Sequence, residues 1–343
     1  MDTPIFEKKN VLVTGGAGFI GSHLCERLLR EAKVICVDNF SNSNTQNINH
    51  LLQYPDFEFI NYDITKPLNL EEHEGLDKFK IKFQGIQEIY HLACPTSPKN
   101  FEAIKIDTLK ANSLGVINTL ELAAKHRAKY LFTSSAVVYG DDIQKRSALS
   151  EDSQGTVNQL SPRACYDEGK RFAETCVSTY AEKNGFDAKI ARVFTTYGPR
   201  LRLFENQLIP DFIINALENK DLVIHGDKNF STSLCFVSDM VDGLVRLMDA
   251  EESVKVVNLG GEEAIKYTDV AAMIINLTNS TSRVVLDKPL LFLTSKGTPN
   301  VHYAKETLGW FPLVRLEDGL RKTVDFVIAN KEAFLFSDEG QRV

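Results

Sequence analysis

Apolar positions along the chain follow two alternating rhythms. Short runs rich in Val, Ile, Phe and Tyr occupy residues 11–14, 34–38, 57–62, 88–93, 130–134 and 188–194. They are apolar at consecutive positions and bounded by turn-forming residues, as strands buried on both faces are. Between them, residues 19–29, 104–125 and 163–182 carry apolar side chains at three- and four-residue spacing, so each buries one stripe as a helix. Strands separated by helices predict an α/β fold built on a doubly wound parallel sheet. A polar stretch at 66–80 interrupts the rhythm and reads as a surface insertion. After Tyr197-Gly198-Pro199-Arg200 the pattern loosens into helices at 209–217, 237–248 and 316–328 and a short strand at 222–225. Residues 1–195 therefore read as the sheet domain and 196–343 mainly as a smaller α/β lobe. No Gly/Ser linker separates them, so the two are expected to pack as one unit around a shared crevice.

Composition narrows the classes of ligand. The 343 residues are 43% hydrophobic and 25% charged, an ordinary globular balance. A net charge of −7 offers no long-range attraction to nucleic acid or anionic lipid, so an anionic ligand must be held by local groups. Residues 1–10 lack an apolar targeting segment, and no later run reaches the roughly 18 apolar residues of a membrane span. The expectation is a cytoplasmic protein. Its six cysteines form no CxxC pair and its seven histidines show no HxxxH spacing, so neither disulfides nor a metal site is expected.

The first strand runs directly into Gly15-Gly16-Ala17-Gly18-Phe19-Ile20-Gly21 and then a helix. Glycines there permit a tight turn and let backbone N–H groups approach a pyrophosphate at the helix N-terminus. Gly15, Gly18, Phe19, Ile20 and Gly21 are thus candidate cofactor contacts in a Rossmann-like domain, against the alternative of a turn without a ligand. The next strand ends in Asp38, followed by Asn39, where a carboxylate can accept both ribose hydroxyls and repel a 2′-phosphate. This favours NAD over NADP. Asp63, beside Ile64, is placed to meet the adenine amine or simply to cap the following segment.

Tyr166 and Lys170 stand at i and i+4 on one face of the helix over 163–182. A phenol that ionises near pH 10 becomes a base at neutral pH only if its phenolate is stabilised by roughly 4 kcal/mol. One exposed ion pair, worth about 1 kcal/mol at most, does not achieve that. A buried Lys170 together with a positive nicotinamide ring does. Ser135 emerges at the end of the strand over 130–134 and is the candidate partner of Tyr166. The joint task is to take the proton from a sugar hydroxyl while its carbon delivers hydride to NAD.

These motifs, with VDNFSN, HLACPTSP, PRACYDEGKRFAET, TYGPR, CFVSDMVDGLVRLM, VVNLGG and LGWFP, resemble the extended short-chain dehydrogenase/reductase family, in its UDP-glucuronate decarboxylase branch, over nearly the whole chain. The resemblance implies a tightly held NAD, a nucleotide-sugar substrate (a UDP-sugar favoured) oxidised at C4, and a Ser135–Tyr166–Lys170 triad. By analogy it also places Leu92, Ala93, Asn112 and Val193 on the cofactor. Pro95, Ser135, Ala136, Val137, Thr195 and Arg200 fall on the substrate. It further implies a homodimer formed through helices 104–125 and 163–182.

Departures from the branch fall at positions that touch substrate. The branch carries a glutamate where this chain has Val137, and arginines where it has Thr232 and Gly297, the latter beside Lys296. Thr195 replaces an asparagine. Valine neither binds a proton nor orders a water, and each lost charge-assisted contact is worth roughly 1.5–3 kcal/mol. Arg200, Arg202 and Lys228 are available replacements. Three readings follow: a decarboxylase with re-sited auxiliary groups, a C4 epimerase, to whose SSATVYG the present SSAVVYG is similar, and a non-catalytic NAD-binding protein. A 4,6-dehydratase fits less well, lacking the acidic pair beside the serine. Trp310 and Phe236 read as packing residues, Phe204 and Phe230 as a possible nucleotide slot, and Glu71-Glu72-His73-Glu74 as a solvated face.

Overall fold

The computed structural model describes residues 8–97, 99–140, 148–203, 205, 207–288 and 297–339, with side chains to 331. Its strands are β1 (Asn10–Thr14), β2 (Lys33–Asp38), β3 (Phe57–Asn61), β4 (Glu88–His91), β5 (Lys129–Ser135), β6 (Ala188–Val193), β7 (Thr196–Tyr197), β8 (Leu222–His225), β9 (Ser231–Ser233), β10 (Cys235–Phe236), β11 (Val256–Leu259), β12 (Ala264–Lys266) and β13 (Val284–Asp287). Its helices are α1 (Phe19–Leu28), α2 (Ile81–Gln84), α3 (Phe101–Lys110), α4 (Val116–His126), α5 (Ala164–Asn184), α6 (Leu208–Leu217), α7 (Val237–Asp249), α8 (Tyr267–Thr278), α9 (His302–Leu308) and α10 (Leu316–Glu339).

Seven strands form one sheet in the order β11-β6-β5-β4-β1-β2-β3, every pair parallel. Chain order runs outward in opposite directions from β1 and β4, so a crevice opens between their carboxyl ends, the topological switch point where ligands of such sheets bind. Successive residues explain the continuous apolar runs. Val11 and Val13 of β1 face a core shared with α1, α7 and α8, while Leu12 faces a second core shared with α4 and α5. β11 and α7, both beyond residue 195, belong to this sheet layer and its core.

Two expected elements differ in form. The helix expected over 104–125 is α3 and α4 joined by a π-turn, Ala111–Gly115. A Cβ on Gly115 would lie 2.0 Å from the Ile64 side chain, so the widened turn and its glycine let this helix approach the loop after β3. The stretch at 66–80 is pinned rather than loose. Leu70, Leu76 and Phe79 sink into the second core from two short 3₁₀ turns, which gives an otherwise polar segment three apolar anchors. Trp310 is buried and its indole N–H donates to the Asp239 carbonyl at 2.9 Å, a packing role. Phe236 packs edge-on against Tyr197 in the core. Among the described residues, no helix is long and apolar enough to cross a membrane.

Candidate active site

A cavity of about 700 Å³ lies at the carboxyl ends of the sheet strands, closed on its other side by residues 195–196, 200–202 and 207–210 with Thr232 and Leu234. That volume is in the range of small-molecule and cofactor sites. Gly15, Gly18, Phe19, Ile20 and Gly21 form one wall. Gly15 sits at φ +70°, where side chains are disfavoured, and a Cβ on it would meet the Ala93 backbone nitrogen at 2.7 Å. A Cβ on Gly21 would lie 2.2 Å from the Gly15 carbonyl, so the turn closes on α1 only with glycine at both positions.

Asp38 ties this turn to the next loop. Its carboxylate accepts from the Ala17 N–H (3.0 Å), the Phe40 N–H (2.9 Å) and the Ser43 hydroxyl (2.7 Å). Burial raises its pKa, and those hydrogen bonds oppose the rise. An ionised carboxylate offers about four acceptor sites, so capacity remains for a ligand hydroxyl. Asn39, Asp63 and Ile64 line the same wall, and the Asp63 carboxylate accepts from the Thr65 N–H at 3.0 Å. Arg200, held at φ +68°, lines the cavity beside α1 and pairs with Glu26, while its Nη1 is buried without a hydrogen-bond partner among the described residues. Its positive charge adds to burial in lowering the His23 pKa to about 4. A glycine cradle that a Cβ would fill, an orphaned guanidinium nitrogen and a terminal carboxylate together fit a dinucleotide.

The opposite wall carries the titratable groups. Ser135 ends β5 and lines the cavity together with Tyr166, which projects from the first turn of α5, with the Ser135 hydroxyl near enough to the phenol to favour its ionised form. One turn further along α5, the buried Lys170 donates to the Thr133 carbonyl at 2.9 Å. Its nitrogen lies 4.6 Å from the Phe132 ring centroid and 5.9 Å from that of Tyr166. Burial pushes the Tyr166 phenol well above its ordinary value, with Cys94 adding to the rise; the nearby Ser135 hydroxyl and the Arg163 charge pull the other way. Burial lowers Lys170, while Cys94 and Glu174 support its charged form. In this arrangement Lys170 braces the wall through Thr133, and protein groups by themselves leave Tyr166 a neutral phenol.

Leu92, Ala93, Pro95, Val193 and Thr195 also line the cavity. Three expected contacts stand off its wall. Asn112 is buried in the π-turn behind it and donates to Cys94 Sγ (3.1 Å) and the Thr108 carbonyl (3.0 Å). Ala136 and Val137 are buried in a 3₁₀ turn after β5 and are not among the residues lining the cavity. Thr195 and Thr232 bond each other at 3.0 Å on the lobe side of the cavity. The carboxylates among the described wall residues are Asp38, Asp63 and Asp107, none beside Ser135 or Thr195 in sequence. Phe230 packs edge-on against Tyr267, off the wall, and Lys228 is exposed. Lys296 and Phe204 lie outside the described residues. Glu71 pairs with Lys125 at the surface, and no metal-holding cluster occurs among the described residues.

Sequence reasoning misses two polar networks here. Arg202 donates to Asn42 (2.8 Å) and pairs with Glu205, which also accepts from Ser97, so three loops are cross-linked at the cavity mouth. Behind Ser135, Glu174 binds Ser134 and Arg192. Partners so far apart in the chain leave no local spacing to read.

A glycine turn at the switch point of a parallel sheet, with an aspartate ending the next strand, defines a dinucleotide-binding α/β protein. The chain belongs to the NAD dependent epimerase/dehydratase family, which it matches over residues 11–260, and NAD is its cofactor. It is 37% identical over 321 residues to UDP-glucuronic acid decarboxylase 1 of Xenopus tropicalis, covering 93% of this chain and 72% of that protein. Its fold is similar to that of UDP-glucose 4-epimerase with UDP-glucose from Thermotoga maritima (TM-score 0.82, 26% identity, 94% and 99% of the two chains). It also resembles UDP-glucuronic acid 4-epimerase from Bacillus cereus in complex with UDP-glucuronic acid and NAD (TM-score 0.80, 28% identity, 93% and 99%).

Proposed function

We propose that this protein oxidises the C4 hydroxyl of a nucleotide sugar, a UDP-sugar foremost, to a keto intermediate and then re-reduces it. The observation that supports this reading is the convergence of Ser135 and Tyr166 on one cavity wall, with Lys170 anchored one turn away. NAD, when bound, supplies the hydride acceptor and a positive ring beside the phenol. Tyr166 receives the sugar proton through its phenolic oxygen, and Ser135 orients both hydroxyls. Lys170 contributes positive charge in a low-dielectric wall, where it acts more strongly than in water. Tyr166 then returns its proton to the C4 oxygen as the hydride goes back to carbon C4, which completes the cycle.

Two outcomes of the keto stage compete. The 37% identity to a decarboxylase supports carbon dioxide loss. The apolar, buried Val137 and the lack of a carboxylate beside Ser135 in sequence among the described wall residues favour C4 epimerisation, which needs no further acid. Incubation of the purified protein with UDP-, dTDP-, CDP- and GDP-sugars, followed by carbon dioxide capture and proton NMR, separates them. Carbon dioxide release selects the decarboxylase, and an inverted C4 coupling selects the epimerase. Absence of any turnover with every sugar, NAD being bound, overturns the catalytic reading in favour of a non-catalytic NAD-binding protein.

A further inference from the structure

Three successive turns of α5 grip three successive residues at the end of β5. Tyr166 shares the cavity wall with Ser135, Lys170 donates to the Thr133 carbonyl at 2.9 Å, and Glu174 accepts from the Ser134 hydroxyl at 2.6 Å. The third contact is the most heavily anchored. Arg192, on the neighbouring strand β6 and in register with Ser134, donates Nε to one Glu174 oxygen (3.0 Å) and Nη2 to the other (2.8 Å). Its Nη1 reaches the Tyr139 hydroxyl (3.0 Å) and the Glu151 carbonyl (2.8 Å). Both partners of this ion pair are largely buried, with 14% of each side chain exposed. A buried bidentate pair is costly to desolvate and is weak evidence for a stability role by itself. Its position directly behind the reacting groups gives it another use.

We propose that Glu174, anchored by Arg192, is a positioning residue of this site, holding α5 against the end of β5 and setting the electrostatic field at Lys170. The groups facing Lys170 are Tyr166 and Glu174 from its own helix, the Phe132 ring and Thr133 carbonyl from β5, and His91 and Cys94 from the β4 side. Burial holds His91 neutral by lowering its pKa to about 3 and holds Cys94 as the thiol by raising its own. Tyr166 is a neutral phenol before cofactor binds. Glu174 is therefore the anionic group among those facing Lys170, and it offsets the burial that disfavours the ammonium.

This rests on the reading of Tyr166 and Lys170 as reacting groups, but its test needs no substrate. The side-chain Cε signals of ¹³C-lysine-labelled full-length protein are titrated by NMR, with Lys170 assigned through Lys170→Met. Glu174→Gln leaves Arg192 uncompensated and lowers the Lys170 midpoint by on the order of one pH unit, the effect of one unit charge about a helical turn away. Arg192→Gln leaves Glu174 uncompensated and raises it. The charge-neutral double variant returns it to within a few tenths of wild type. If Glu174→Gln loses native circular dichroism, Glu174→Asp replaces it and lowers the midpoint by less. A folded set whose midpoints do not move, or all move the same way, assigns the pair a purely structural role and overturns the proposal. A panel of sugars without turnover would fail the catalytic reading while leaving these shifts in place.

Discussion

Asp38→Asn tests the cofactor wall most informatively, because the aspartate does two things at once. It accepts three protein hydrogen bonds and has capacity left for a ribose. Asparagine keeps one acceptor oxygen. Turned one way, its amide leaves the Ala17 N–H facing another donor; turned the other, it opposes the Phe40 N–H and the Ser43 hydroxyl. Orphaning one buried donor costs about 1–3 kcal/mol, and the surviving bonds fall from charged to neutral strength. Burial already disfavours the Asp38 carboxylate, so removal of its charge returns part of that loss. The net destabilisation is about 1–3 kcal/mol. For NAD, the loss of a charged acceptor to the ribose hydroxyls weakens binding by about 1.5–3 kcal/mol, roughly one to two decades in Kd. NADP responds in the opposite sense relative to NAD, because the carboxylate that repels a 2′-phosphate is gone. Calorimetric titration of cofactor-stripped wild type and variant with both dinucleotides measures the four constants. An NAD affinity within threefold of wild type, or an unchanged NAD/NADP ratio, would refute the assignment of Asp38 to the ribose.

Two further outcomes follow from burial and exposure. Burial and nearby Glu205 raise the Asp211 pKa to about 6. A carboxyl raised in the folded state stabilises fully below its unfolded value, and that stabilisation is lost as pH rises through about 6. Asp211→Asn should therefore match wild-type unfolding free energy near pH 4 and exceed it at pH 8, by no more than about 3 kcal/mol for a shift of roughly two pH units; a variant less stable at pH 8 in urea unfolding would count against it. Ile106, Leu109, Leu114 and Phe172 are exposed apolar side chains on α3, the π-turn and α5, and if two copies pair through these helices, Leu109→Asp/Phe172→Asp converts a dimer to a monomer by light scattering. A wild-type monomer would remove that interface.

The parts of the site visible in sequence are those fixed by local spacing. The glycine turn, the aspartate ending the next strand and the Tyr166/Lys170 pair are each set by one element and its immediate turn, so period and position suffice to find them. Asn112 and Val137 are buried off the described cavity wall, one in the π-turn and the other in a 3₁₀ turn, and local spacing does not signal either turn. The Ser97–Glu205 and Ser134–Glu174–Arg192 contacts join distant segments through common residue types, and no local rule distinguishes Glu174 from the exposed Glu182 eight residues along the same helix. The sheet edge is similar. β11 is a four-residue run beyond residue 195, and only its partner β6 makes it a strand of the main sheet.

Tyr166 ionisation as a function of bound NAD tests the central claim most directly. Ultraviolet difference titration of wild type against Tyr166→Phe isolates that phenol, first in NAD-free protein and then with NAD saturating. The account predicts a midpoint at or above the ordinary value of about 10 without NAD, falling below about 8 when the positive ring is bound. A midpoint that stays near or above about 10 with NAD in place would contradict it.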